Sequence, residues 1–414
     1  MMMKRYRRTA LSQYALVTLV LVLVLSVGYL GFVVTRHVPY IDNFAIPWAA
    51  GRVWLLEGGS PYGPAAIDTA LAAMEEAPFM GQLDQPQLFS QPLFSLAFYL
   101  PFSLLPFTLA RTFWVTSLSF FVGFIGVLSI KLIDWKLNQL GLFCVIIVLL
   151  FSLPGAFTIL GGYITPIIIG MLLSSIYLIQ NHQDTTAGFL LALASSCFLT
   201  IGLVIVLLLV WAIAKKRWPL IVSFFSGILF LVIISFLIMP TWFLDWASVL
   251  LRLNIDWNWI RTPLMGMAAI LPGIAKPLSI SLHGLFFLFG VFFFVSLLGR
   301  KERAFIYNIF SLLLLSYFLH LQASIVVLFL IVPALIFVVR YWSERWKRAG
   351  FFVGWAFLIL TGAVSWFFAF PDFDFTHSIE TPWLIFGYPL VTFVGMIWIR
   401  WWTLKIPKMP LERL

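Results

Sequence analysis

The chain has 414 residues, of which 62% are hydrophobic and only 10% charged, and it carries a formal net charge of +10. Ordinary soluble domains hold about a quarter of their residues as charges, so this composition argues against a water-soluble globular protein and for a polytopic membrane protein. Cys144 and Cys197, both inside apolar runs, leave no basis for a disulfide framework or a thiolate metal site, and the basic residues lie between apolar runs without the interleaved aromatics of a nucleic-acid surface.

A helix needs about 20 apolar residues to cross hydrocarbon. Runs near that length cover residues 14–34, 112–130, 187–211, 218–239, 281–298, 304–320, 323–340, 350–369 and 383–400, with shorter ones at 92–106, 139–153 and 163–179. The predicted architecture is an all-α bundle of about twelve transmembrane helices, forming one membrane-embedded domain over residues 1–414. Lys4, Arg5, Arg7 and Arg8 precede the first run as in a signal peptide, but the run is longer than a secretory apolar region and no small-residue cleavage site follows. It reads as an uncleaved span.

Lys and Arg near span ends are retained on the cytoplasmic side. The clusters Lys215-Lys216-Arg217, Arg300 with Lys301 and Arg303, Arg340 with Arg345, Lys347 and Arg348, and Arg400 with Lys405, Lys408 and Arg413 alternate with acidic loops. Both termini are therefore expected in the cytoplasm, and residues 35–91, 240–280 and 370–382 on the outer face. In that count Lys131 and Lys136 fall outside, which suggests re-entrant helices within residues 92–180.

The first outer loop carries structure of its own. Residues 44–57 put Phe44, Trp48, Trp54 and Leu55 near one side of a helix, with Asn43 as N-cap and Gly58-Gly59 before Pro61 as the stop. Such a helix is expected to lie in the membrane interface, and a second is expected over residues 64–77. Asp42 stands at the start of the first. A carboxylate there either stabilises a helix N-terminus by about 0.3–1 kcal/mol or acts as a base at the membrane surface.

A first span, an acidic residue opening a large outer loop, an interfacial helix and then many spans is the arrangement of the GT-C glycosyltransferases. The chain resembles glycosyltransferase family 87, the polyprenyl-phosphate-mannose-dependent mannosyltransferases. The similar pieces are Asp42 with Ala49-Ala50-Gly51 and Gly58-Gly59-Ser60-Pro61-Tyr62, then Gln91-Pro92-Leu93-Phe94 and Leu105-Pro106-Phe107. Gly161-Gly162-Tyr163-Ile164-Thr165-Pro166 resembles the family's gly-gln-x-asn stretch, and Ser316-Tyr317-Phe318-Leu319-His320 its ser-trp-x-x-his stretch. The chain departs from the family where that glutamine and asparagine are missing, where Leu199-Thr200-Ile201-Gly202 lacks an expected lysine, and where Tyr317 replaces a tryptophan. A different lipid-linked sugar or a diverged acceptor fits those departures.

The resemblance implies an inverting hexosyl transfer from a polyprenyl-phosphate sugar, with mannose as the family's sugar, to a lipid or glycan acceptor on the outer face. The phosphate leaves readily, so the acceptor hydroxyl needs only a base, and Asp42 is the candidate. His320 is the second catalytic candidate, because an ionisable residue near a span end is costly without a purpose; an interhelical hydrogen bond is its plainer role. Donor phosphate calls for cations, for which the outer face offers Arg52, Arg252, Arg261 and Lys276, with Arg36 and His37 nearby; headgroup anchoring is the alternative for each. Tyr62, Tyr163, Tyr317 and Gln322 are expected around the substrate. No cofactor or metal is expected: Asp372-Phe373-Asp374, with His377 and Glu380 nearby, falls in a predicted outer loop where nucleotide sugars are scarce. Expected partners are membrane lipids, the donor and the acceptor. A transporter or flippase of glycolipid intermediates is the rival class, although the sequence shows no internal repeat and almost no charge within its spans.

Overall fold

A computed structural model of the chain describes residues 2–83, 88–252, 262–269, 271–299, 304–320, 324–345, 347–369 and 386–403. Arg261, Gln322, Asp372, Asp374, His377 and Glu380 lie outside the described residues. The protein is helical and membrane-embedded: among the described residues five helices are long and apolar enough to cross a bilayer, namely Val17–Val34, Phe107–Leu132, Trp218–Ile238, Ala275–Gly299 and Ile325–Arg345. A sixth candidate is the pair Gln139–Phe151 and Leu153–Leu160, bent by 60°. The bend falls at Ser152, whose extended backbone and Oγ cap the second half through Gly155 N.

Burial sorts the helices into core and periphery. All of Phe305–Phe318 is buried, as is the 3-10 segment Ile325–Ile331 that follows it. In contrast, only 11% of the most apolar stretch of Ala275–Gly299 and 28% of that of Trp218–Ile238 is buried. Exposed Phe287, Leu288, Phe225, Leu229 and Phe230 on those two helices form the apolar exterior, which suits contact with lipid.

Two expected spans take other forms. Residues 92–106 form a 3-10 segment, Leu93–Phe98, and one helical turn, Leu100–Ser103, too short to cross. Residues 187–211 are not one span. Asp184–Ala194 runs parallel to Trp218–Ile238, with Gly188 against Ser223 and Gly227 against Ala192, then breaks at Ser195–Cys197 and returns as Phe198–Ala214. The return is required by the Arg217–Asp184 ion pair at 2.7 Å, which joins the two ends of the segment. The break has a local cause: Ser195 and Ser196 hydroxyls donate to the Ala192 and Leu193 carbonyls, competing with the helical ladder. A Cβ on Gly188 would overlap Ser223 Oγ and the Leu220 carbonyl, so glycine is what lets the helices touch.

These changes move Lys131. Because residues 92–106 do not cross, the Phe107–Leu132 helix starts beside Asp42, and its far end carries Lys131 into a cavity it shares with Lys215, Arg217 and Arg340. The charge count that put Lys131 outside treated residues 92–106 as a span; as short turns they leave Lys131 beside the other cavity cations.

Candidate functional site

The first helix ends at Val34, and residues 40–45 then fold back across the bundle. Tyr40–Ile41 pairs in parallel with Gly81–Gln82, and Asp42 N donates to the Gln82 carbonyl at 2.8 Å. The Ala45–Glu57 helix follows, stopped by Gly58 at φ 66°. Its cap is Asp42, not Asn43: Asp42 Oδ1 accepts from Phe44 N and Ala45 N, both at 2.8 Å. The helix is also packed inward, with Phe44 and Trp48 buried while Leu55 and Leu56 are exposed, so the expected single apolar side splits. Trp48 Nε1 donates to the Phe102 and Leu105 carbonyls, seating the helix on the next turn of chain. The second helix, Ala65–Glu76, lies where expected.

Asp42 has a partner that the sequence reading passed over. Arg111, in the first turns of Phe107–Leu132, gives Nε to Asp42 Oδ2 at 2.6 Å, and the two side chains are 1% and 0% exposed. Its Nη2 donates to the Leu160 carbonyl, and its guanidinium lies 5.0 Å from the Tyr40 ring. Two further bonds tie the same place together: Asn43 N donates to Gly161 O, and Trp114 Nε1 to Gly162 O, each at 2.8 Å. Gly162 has φ 71°, a left-handed conformation that favours glycine. Phe44 stacks on Trp114 at 5.1 Å beside Phe107. The Gly161-Gly162 stretch therefore works here as a backbone dock for the Asp42 segment.

The electrostatics follow from enclosure. Burial raises the Tyr40 phenol above its ordinary value, with Arg111 opposing and Asp42 adding to the shift. A carboxylate offers about four acceptor positions, and Asp42 uses three. One position on Oδ2 remains for a further hydroxyl, and because the side chain is fully enclosed an acceptor reaches it only after local rearrangement. Tyr40 Oη, Asn43 Nδ2 and Arg111 Nη1, on or next to the pair, are buried without hydrogen-bond partners, which places unused polar capacity around it.

The other sequence candidates are dispersed. Tyr62 is buried, donates to the Gln91 carbonyl at 3.1 Å and has its phenol raised by burial, with Asp245 adding. Tyr163 is half-buried and stacks on Phe157 at 5.8 Å, next to the Gly161-Gly162 dock. Tyr317 is buried in the core helix, and half-buried His320 follows that helix's end. Arg52 packs over Trp48 and reaches the Ser103 carbonyl at 3.5 Å. Arg252 and Lys276 are exposed. Arg36 and His37 are exposed and bound to their own helix, through Phe32 and Val33 O respectively. Among the described residues no three His, Cys, Asp or Glu gather as metal ligands, and neither described cavity is lined by Asp42 or His320.

Arg111 was within reach of sequence reading, since a lone cation at the edge of an apolar run calls for a partner. No protein-family model, curated protein or solved structure is significantly similar to this chain.

Proposed function

We propose that this chain is a membrane-embedded glycosyltransferase that moves a hexose, mannose on the family resemblance, from a polyprenyl-phosphate sugar to a lipid or glycan acceptor. The observation that carries the reading is Asp42 at the root of a folded loop directly after the first apolar helix, capping Ala45–Glu57. In the proposed step the acceptor oxygen attacks the anomeric carbon, the bond to the phosphate oxygen breaks, and the polyprenyl phosphate leaves with the electron pair. The acceptor proton passes to Asp42 Oδ2, and the anomeric centre inverts. His320 is proposed to orient the sugar or the phosphate, and Arg52, Arg252, Arg261 and Lys276 are the proposed donor-phosphate cations. The site is proposed to face outward, with both termini in the cytoplasm.

The test is transfer of labelled hexose from a polyprenyl-phosphate donor by the purified chain. Asp42→Asn is expected to abolish transfer while keeping the cap, at a cost in stability because buried Arg111 loses its counter-charge, and Asp42→Ala loses the cap as well. If Asp42→Asn transfers at the native rate, the base assignment is lost; if no polyprenyl-phosphate hexose is consumed by the native chain, the enzyme reading is lost. A second reading, movement of a glycolipid across the bilayer, draws on the 60° break at Ser152, because transporter sites sit on broken helices. Donor-independent movement of labelled glycolipid in reconstituted vesicles favours it.

A further inference from the structure

At the opposite end of Phe107–Leu132 from Asp42 lies a cavity of about 900 Å³, within the range of roughly 300–1,000 Å³ typical of small-molecule sites. It opens where Phe107–Leu132, Thr165–Gln180 and Phe198–Ala214 end. Lys131, Lys215, Arg217 and Arg340 line it together with His182, against one lining carboxylate, Asp134. Arg217 is answered by Asp184 at 2.7 Å and Arg340 by Glu344 at 3.0 Å. Lys131 and Lys215 have no carboxylate within ion-pair distance among the described residues.

Helix capping accounts for part of this charge. Lys215 Nζ donates to the Leu298 carbonyl at 2.6 Å, and Arg217 Nη2 to the Ile179 carbonyl at 3.0 Å. Capping satisfies one N–H of an ammonium that has three, so Lys215 keeps two donors. Lys131 Nζ lies 4.5 Å from the Tyr177 ring centre, an arrangement that leaves its donors free to point elsewhere. Arg340 uses Nε on Glu344 and retains its Nη groups. Trp211, Tyr177 and Tyr341 also line it, and aromatic side chains mixed with basic ones suit the headgroup level of a membrane. Basic pockets between membrane helices recognise lipid phosphates.

We propose that this cavity binds a phosphate-bearing anion, either the head group of an anionic phospholipid or a soluble phosphate ester, with Lys131 and Lys215 as its principal contacts. The proposal does not depend on the transferase reading, since Asp42 is at the other end of the helix.

The full chain in detergent is melted with added phosphatidylglycerol, phosphatidylcholine or inorganic pyrophosphate, and bound lipid is counted by native mass spectrometry. Phosphatidylglycerol or pyrophosphate is expected to raise the melting temperature, and phosphatidylcholine is not. The double variant K131Q/K215Q is expected to weaken that effect about tenfold in apparent Kd, the loss of a charge-assisted contact. Both lysines are exposed, so the fold survives, and Lys131→Gln alone repeats the test with a smaller change. K136Q/K216Q removes the same charge from exposed residues outside the lining and is expected to bind as the native chain does. Stabilisation by lipid alone assigns the membrane source, and by pyrophosphate alone the soluble one. Equal responses to phosphatidylglycerol and phosphatidylcholine with none to pyrophosphate, or equal losses in the two double variants, overturn the proposal.

Discussion

The Arg111–Asp42 pair is sealed, at 1% and 0% side-chain exposure, whereas at the other end of the same helix Arg217–Asp184 is 17% and 14% exposed and Arg340–Glu344 is 22% and 51% exposed. Sealing makes each partner indispensable: an isolated buried charge is strongly disfavoured, and here Phe44 N, Ala45 N, the Leu160 carbonyl and the Tyr40 ring all contact the pair. The wetter pairs lose little when one member goes, because water takes its place. One end of the molecule is therefore built like a packed core around a single ion pair. The other keeps excess positive charge beside open space.

That contrast sets an order of expected effects. Arg111→Met leaves Asp42 Oδ2 buried without a counter-charge and is expected to destabilise the protein by about 3–5 kcal/mol, measured as the shift in thermal unfolding in detergent. Adding Asp42→Asn to that variant should recover part of the loss; simple additivity of the two changes in a double-mutant cycle would mean the pair is not coupled. Asp184→Asn, at a partly buried pair that also closes the helical hairpin, is expected to cost about 1–2 kcal/mol. Arg340→Gln should cost about 0–1 kcal/mol. A reversal of this order, with Arg340→Gln more damaging than Arg111→Met, would show that the exposed end carries the stability.

Much of the fold was legible because crossing hydrocarbon imposes a length and an apolarity that can be counted. The runs at 14–34, 112–130, 218–239 and 281–298 each overlap a helix that meets both conditions. The loop helices were legible too, since Gly58 stops the first where expected. Apolarity alone could not separate a crossing from a return. Residues 187–211 carry the hydropathy of a span, yet two serine hydroxyls and the Arg217–Asp184 contact fold them into a hairpin. Residues 92–106 form short turns, and that single difference moved Lys131 to the end holding the other cavity cations.

Asp42 shows the same division. Its position after the first apolar helix and before a capped one can be read from order along the chain, because caps and spans are local. Its partner cannot, because Arg111 is 69 residues away. Composition and local pattern by themselves determined a helical membrane protein with a structured first loop and a carboxylate at its root. Only the tertiary structure decided which cation neutralises that carboxylate, how tightly it is enclosed and where the remaining cations gather, since burial and charge pairing depend on distances between segments remote in sequence.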